Sequence, residues 1–335
     1  MMEFALDRQI ASQPTAIREV LQRQQVPTLD AERPFIFSGI GTSLHACHVA
    51  ARWLFELSAG HIHPLVLNAH DLALTAPISG QDQVIVVSHR GTKTFPGMAL
   101  ARARQQGATT VAISGLAAPE PEADYVMRTC DGETSSTHTV SYTTALTALA
   151  QLVAQIVGAA GTQLRAELEL VPAYIEQILA QTAPVQQAQR LVSCEPLLLA
   201  GVGIDAIAAS EASLKFKEGT YTWAEGMETE NALHGPPAVL RAGMGAITIT
   251  PAGEDGQRTQ TLRHALQALG VIALTCGDHD EDLWFPSMHP LVRPLVTIVP
   301  LQRLTAELAR IKGTNPDEMH RELEPWKTVI DAIVL

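Results

Sequence analysis

Three stretches of this 335-residue chain combine residue types suited to holding an anion. Gly39-Ile-Gly41-Thr42-Ser43 puts two glycines and two hydroxyls at the end of an apolar run. A tight turn there presents backbone N–H groups at the start of a helix, where phosphate is favoured. Ser88-His89-Arg90-Gly91-Thr92-Lys93-Thr94 offers hydroxyls, a glycine and two cations within seven residues. Gly132-Glu133-Thr134-Ser135-Ser136-Thr137-His138-Thr139 is a third polar loop rich in hydroxyls. Three such loops on one strand edge favour a single phosphate pocket. No third glycine stands where a dinucleotide fingerprint needs it, so a nicotinamide cofactor is not expected.

A second set of residues carries acid/base chemistry. Glu211-Ala-Ser-Leu-Lys215-Phe-Lys217-Glu218-Gly219 is followed by Ala224-Glu225 and by Asn231-Ala-Leu-His234-Gly235-Pro236. On a helix Lys215 and Glu218, three residues apart, share a face. A carboxylate near an ammonium and an imidazole suits proton transfer; the alternative is an ordinary surface ion pair. Lysine is scarce: of 23 basic residues only five are Lys, at positions 93, 215, 217, 312 and 327. Positions that keep Lys where Arg is preferred elsewhere are candidates for a compact, titratable amine.

The elements that must position these groups are repeated. Pro34-Phe-Ile-Phe-Ser-Gly39-Ile-Gly41 and Pro196-Leu-Leu-Leu-Ala-Gly201-Val-Gly203 are both apolar runs ending in G-x-G, each followed by a helical pattern, Leu44 to Leu57 and Ala206 to Lys217. From Gly39 to Ser88, which ends Val84-Ile-Val-Val-Ser88, is 49 residues, as it is from Gly201 to Thr250, which ends Ala246-Ile-Thr-Ile-Thr250. Further runs, Thr110-Val-Ala-Ile-Ser114 and Val271-Ile-Ala-Leu-Thr275, follow at nearly equal spacing. Short, continuous, β-branched runs alternating with helical patterns such as Phe95 to Gln106 and Gln257 to Leu269 mark parallel strands buried on both faces. The chain therefore reads as α/β, with two doubly wound parallel sheets and helices on both faces. Ligands of such sheets lie at the C-terminal ends of the strands. Helical segments are expected at Phe4 to Gln25 and between the halves, about Thr162 to Leu191. The division is residues 1–30 as a helical segment, 31–180 as the first domain with the phosphate loops, and 181–335 as the second, with the catalytic helix and tail.

These motifs resemble the tandem sugar-isomerase (SIS) family, especially the isomerase half of the glucosamine-6-phosphate synthases, from about Phe35 to Lys327. The matching parts are Gly41-Thr42-Ser43, the S-x-x-G loop at Ser88 to Gly91, Glu211 to Glu218, Ala224-Glu225, His234 to Pro236 and Ile311-Lys-Gly-Thr314. The interval of 16 residues from Glu218 to His234 also fits. The resemblance implies a flavodoxin-like fold and assigns Glu218 as the base moving a proton between sugar C1 and C2. It makes His234 the ring-opening histidine, supplied by the neighbouring subunit of a homodimer, and Lys215 the amine beside the enediolate. Lys327 matches the tail lysine that contacts the open-chain sugar. Thr42, Ser43 and Ser88 match phosphate-loop positions; Gly41, His89, Thr92, Ser136, Thr137 and Glu225 join the expected binding set. Three departures stand out. Arg90 replaces a serine and Lys93 a threonine of the family's second loop, and His138 falls where serine is common, so a more cationic anion pocket is expected. No N-terminal nucleophilic cysteine is present, so glutamine amidotransfer is not expected.

The chemistry stands independently: aldose–ketose conversion needs one positioned carboxylate and a donor near the enediolate oxygen. No metal or other cofactor is called for. His45/His48 and His61/His63 lack a carboxylate partner in sequence and are read as surface or packing residues. The expected activity is phosphosugar isomerase or amino-sugar phosphate deaminase. The alternatives are a fructosamine-phosphate deglycase and a non-catalytic sugar-phosphate sensor, although no helix-turn-helix is evident in the 34 residues before the first strand. A net charge of −12 with no basic stripe argues against nucleic-acid and anionic-membrane partners. Four scattered cysteines and the absence of a secretory n- and h-region lead to the expectation of a cytoplasmic protein.

Overall fold

Each apolar run becomes an inner strand. In the computed structural model, which describes residues 3–23 and 25–333, β1 (Phe35–Gly39), β3 (Gln83–Val87) and β4 (Thr109–Ser114) are the three central strands of a five-stranded parallel sheet, flanked by β2 (Leu65–Asn68) and β5 (Tyr125–Arg128), in the order β2-β1-β3-β4-β5. The second sheet repeats it. Its strands are β6 (Leu197–Gly201), β7 (Ala224–Glu228), β8 (Gly245–Ile249), β9 (Ile272–Gly277) and β10 (Leu283–Trp284), in the order β10-β9-β8-β6-β7. Matching β6 to β1, β7 to β2 and onward makes the two orders identical.

The helices begin with α1 (Ala5–Arg23), α2 (Thr42–Leu57), α3 (Ala69–Leu74), α4 (Thr94–Gln105) and α5 (Val140–Ile156). Between the halves, α6 (Thr162–Leu168), α7 (Val171–Leu179) and α8 (Val185–Leu191) replace the expected single linking segment. The second half adds α9 (Ile204–Thr220), α10 (Thr229–Leu233), α11 (Arg258–Ala268), α12 (Arg293–Val296), α13 (Ile298–Lys312) and α14 (Trp326–Ala332). Among the described residues no helix is long and apolar enough to cross a membrane.

The chain forms two compact bodies. One contains the first sheet and comprises Ser12–Glu133 and Val140–Pro172, with the C-terminal residues from Asp331; the other contains the second sheet and comprises residues up to Ala11, Thr134–Thr139 and Ala173–Ile330. The third hydroxyl-rich loop is thus counted with the second sheet, although it lies in sequence between β5 and α5.

Within the second body α9 is the central helix, packed against β6, β7 and α13. Small residues permit its close approach: a Cβ added at Gly226 in β7 would lie 2.4 Å from the Ala209 carbonyl oxygen. Ala208, Ala209, Ala212 and Phe216 are fully buried along the helix. So are three charged residues, Asp205, Glu211 and Lys215.

Candidate active site

Helix α9 carries an ion triad removed from water. Lys215 is 1% exposed, with its Nζ 3.4 Å from Oε1 of Glu211, itself fully buried, and 2.6 Å from Oε2 of Glu218. Spacings of three and four residues stack the two carboxylates on either side of the ammonium. Of the two carboxylates Glu218 is the solvent-facing one, at 16% exposure. The pair foreseen at Lys215 and Glu218 is therefore present and buried, rather than a surface ion pair, and Glu211 is the member the sequence reading missed. The i,i+4 spacing of Glu211 and Lys215 was the available signal.

The C-terminal end of α9 is clasped by two segments of its own body. Thr314 Oγ1 donates to the Gly219 carbonyl at 2.8 Å, and Lys312 Nζ donates to Thr222 Oγ1. This gives Ile311-Lys-Gly-Thr314 a physical role, with Gly313 in the left-handed conformation (φ 72°) ending α13 so that the chain turns back onto α9. From the other side comes the loop at residues 134–139. Ser135 Oγ and Thr137 Oγ1 both donate to the Pro316 carbonyl, at 3.2 and 2.8 Å, and Ser136 N–H donates to that of Asp317 at 3.0 Å. A Cβ at Gly219 would meet Thr305 Cγ2 at 2.9 Å and Thr137 Oγ1 at 3.5 Å. Glycine directly after the candidate base is what lets Thr305 of α13 pack so closely here. Thr137 is buried with its hydroxyl engaged in this clasp, whereas Ser136 and His138 are half-buried.

Tyr221, three residues beyond Glu218, starts a stack of rings. Its ring lies 3.9 Å from that of His320, 13° from parallel, and His320 lies 4.0 Å from Trp326, 16° from parallel. The Tyr221 hydroxyl accepts from His320 N–H at 2.7 Å, and its own proton is shared between the Asn315 carbonyl at 2.8 Å and Glu322 at 3.0 Å. Burial first, with the Glu322 carboxylate adding, pushes its pKa up to about 12, so the phenol stays protonated. This stack connects the end of the base helix to the residue before Lys327. Lys327 itself is on the exposed face of α14. Scattered aromatics at positions 221, 320 and 326 gave no sequence signal.

In the first body, two of the three predicted loops sit at the C-terminal ends of adjacent strands. Gly41 (φ 57°, ψ −127°) turns the chain from β1 into α2, and Thr42 and Ser43 occupy the first turn, half-buried. Ser88 ends β3, with its N–H on the Ile113 carbonyl; Gly91 (φ 66°) closes the following turn and Lys93 precedes α4. Arg90 and Thr92 are exposed and Lys93 is half-buried. A cavity of about 410 Å³ opens here, lined by Ser88, Gly91, Pro96, Ile113, Ser114 and Glu120 among others. The His89 ring is pressed against Gly115, where an added Cβ would lie 2.8 Å from Cε1. Burial first, then the neighbouring Arg90 charge, lowers its pKa to about 4. His89 is neutral at pH 7, which leaves Arg90 and Lys93 as the cations of this loop.

The second half shows what the G-x-G turn attracts. Gly203 (φ 60°, ψ −118°) repeats the Gly41 conformation, and its N–H lies 3.1 and 3.0 Å from the two carboxylate oxygens of Glu228. Glu228 is in register with Gly201, as Asn68 is with Gly39 in the first sheet. Asn68 instead uses its side chain to accept from His70 N–H and start α3. One G-x-G turn thus holds the chain's own anion, whereas the residue in register beside the other is a neutral amide. Other strand ends of the second sheet are also internally satisfied: buried Asp205 pairs with Arg293 at 2.9 Å, and Thr250 donates to Glu281 at 2.7 Å. Glu225 lies at the start of β7, exposed, at the opposite end of the strand from Glu228. His234 ends α10 and is 71% exposed, with its Nε2 2.8 Å from Glu230.

The comparisons with known proteins agree with this fold. The SIS domain family matches residues 29–155. This chain carries a SIS domain. A glutamine–fructose-6-phosphate aminotransferase (isomerizing) of Thermococcus kodakarensis is 28% identical over 337 residues, covering 93% of this chain and 56% of that relative. The chain thus spans little more than half the length of the curated relatives it matches. Among solved structures, the C-terminal domain of glucosamine-fructose-6-phosphate aminotransferase from Francisella tularensis superposes with a TM-score of 0.85 at 21% identity, covering 94% of this chain and 98% of that one. Glucosamine-6-phosphate deaminase from Thermotoga maritima gives 0.78 at 19% identity, covering 94% and 97%. The SIS arrangement of two parallel five-stranded sheets is common to them.

Two outcomes are expected. Lys215→Met leaves two carboxylates facing each other in the interior and lowers stability by about 3–5 kcal/mol, measured by urea denaturation; adding Glu211→Gln recovers part of the loss. His89 has a folded pKa below its unfolded value of 6.5, so the unfolded chain binds its proton first. Its contribution is complete above pH 6.5 and is lost as pH falls toward 4, by about 3 kcal/mol. The urea midpoint of His89→Gln therefore declines less steeply between pH 7 and 4.5 than that of the wild type.

Proposed function

We propose that the protein is a phosphosugar isomerase, or the amino-sugar phosphate deaminase that uses the same C1–C2 proton transfer. The observation that carries this reading is the buried triad with a single solvent-facing carboxylate, Glu218, held beside the Lys215 ammonium. Proton abstraction next to a carbonyl needs one positioned base and positive charge near the oxygen that becomes an enediolate. Glu218 takes the proton from one carbon of the open-chain sugar and returns it to its neighbour, while Lys215 supplies the charge. The phosphate is assigned to Gly41, Thr42, Ser43 and Ser88, with Arg90, Thr92 and Lys93 at its rim. The carboxylate on the equivalent Gly203 supports that assignment. Lys327, at the end of the ring stack, is assigned to the open-chain carbonyl.

His234 is assigned to ring opening. Its exposure, in a segment where Gly235, Pro236 and Val239 are also partly or fully exposed, fits a histidine that serves the site of a second protomer. The names of the matched proteins, an isomerizing aminotransferase and a deaminase, favour a sugar 6-phosphate or amino-sugar 6-phosphate as substrate.

The test is solvent-deuterium exchange at C1 and C2 of ketose, aldose, amino-sugar and fructosamine phosphates, with ammonia release followed in parallel. The wild type is expected to exchange at least one of them and Glu218→Gln to lose about 10²–10⁴-fold. Ammonia release selects the deaminase; tight binding with no exchange overturns the enzyme reading in favour of a sensor. Equimolar Glu218→Gln and His234→Asn variants, each inactive alone, should recover about a quarter of wild-type turnover after subunit exchange. No recovery would place both residues in one protomer's site.

A further inference from the structure

The imidazole of His234 is held from behind. α10 ends at His234, and the residue one turn earlier on the same face, Glu230, reaches its Nε2 at 2.8 Å. Glu230 is in turn gripped by a residue from another element: Arg258, at the start of α11, places Nε 2.5 Å from Oε2 and its other donor 3.1 Å from Oε1. Both carboxylate oxygens are thereby used, one of them shared between the guanidinium and the imidazole. A planar guanidinium on both oxygens fixes the orientation of the carboxylate as well as its position. The other charged groups nearby are Asp255 and Glu228. Asp255 accepts from the N–H groups of Gln257 and Thr259 and orders the first turn of α11, while Glu228 precedes α10 with its carboxylate on Gly203.

Arg258 first, and His234 after it, hold the Glu230 carboxyl below the usual carboxylate range. An ionised carboxylate only accepts, so the hydrogen between it and the ring belongs to Nε2. A neutral imidazole with its proton on Nε2 has its basic lone pair on Nδ1.

We propose that Glu230, oriented by Arg258, is a positioning residue that fixes the tautomer and direction of His234, leaving Nδ1 as the atom that opens the sugar ring. The proposal rests on the assignment of His234 to ring opening. Nδ1 takes the proton of the anomeric hydroxyl, and the electron pair of that O–H bond becomes the second bond of the new carbonyl. The bond between the anomeric carbon and the ring oxygen breaks with its pair on the ring oxygen, which receives the proton back from the imidazolium. Throughout, Nε2–H stays on Glu230, whose negative charge offsets the transient positive ring. The same logic of a carboxylate orienting a histidine through its second nitrogen recurs wherever imidazole acts as base or ligand.

Two measurements test this on the full chain. Long-range ¹H–¹⁵N spectra, with His234 assigned by comparison with His234→Asn, should show Nε2 protonated and Nδ1 unprotonated at neutral pH. In Glu230→Ala the two nitrogen shifts should move toward each other as the tautomers mix. Unchanged shifts overturn the proposal whatever the substrate is. The second measurement compares C1 proton exchange on fructose 6-phosphate with that on its 5-deoxy analogue, which cannot cyclise because the ring oxygen is missing and O6 is phosphorylated. Glu230→Ala should lose about 10-fold or more in kcat/KM on the cyclising sugar and less than about twofold on the open-chain analogue, with Arg258→Ala intermediate. Equal losses on both substrates mean a merely structural role and overturn the proposal, as does no loss on either. If the wild type exchanges neither sugar, the isomerase reading has failed and the spectra alone decide the role of Glu230.

Discussion

Burying an ammonium between two carboxylates is the demand around which the second body is built. A charged group in the interior is tolerated only when its partners are fixed and its surroundings exclude competing water. α9 satisfies the first condition by helical spacing, which brings Glu211 and Glu218 to Lys215. The second is met by alanines along the helix, by Gly226 in β7, and by the clasp of Thr314 and the loop at 134–139 over its end. Glu218 sits where the helix emerges from this packing, so that it keeps a fixed geometry and still faces solvent. A base on a frayed or exposed helix would have the reach but not the direction.

The two sheets are two copies of one architecture. Strand order, register at the G-x-G turn and the backbone angles of Gly41 and Gly203 are shared. What differs is the residue in register beside the turn on the next strand, Asn68 in one sheet and Glu228 in the other. In the second sheet the turn is satisfied from within, by Glu228; Asn68 spends its side chain on His70 instead. The copy whose turn holds Glu228 carries the Glu211–Lys215–Glu218 triad, and the copy that keeps the hydroxyls carries none of it.

Much of this was legible in the sequence because it depends on local pattern. The central strands are continuous apolar runs, and helical periods gave α2, α4, α9 and α11 to within a few residues. The edge strands β2, β5, β7 and β10 escaped because they are short and partly exposed, so their composition is mixed. In the site, Lys215 and Glu218 were visible as an i,i+3 pair, and Glu211 could have been found by the same reasoning. The ring stack of Tyr221, His320 and Trp326 was not, because contacts spanning about a hundred residues leave no periodic trace. Arg258 on Glu230 is hidden for the same reason. The engagement of Thr137 with Pro316 also needed coordinates: a hydroxyl-rich loop reads alike whether its groups face a ligand or a backbone carbonyl.

The Glu228 carboxylate has a thermodynamic side. A tethered anion is present at a fixed effective concentration and cannot be diluted or competed away by ordinary levels of free phosphate. The second body therefore completes its fold without drawing on any solute. The first body, by the reading proposed, binds its anion from solution, and its stability rises with the logarithm of ligand concentration once that exceeds the dissociation constant. By that reading two halves with one strand order answer differently to free phosphate: one is buffered against it, and the other registers it.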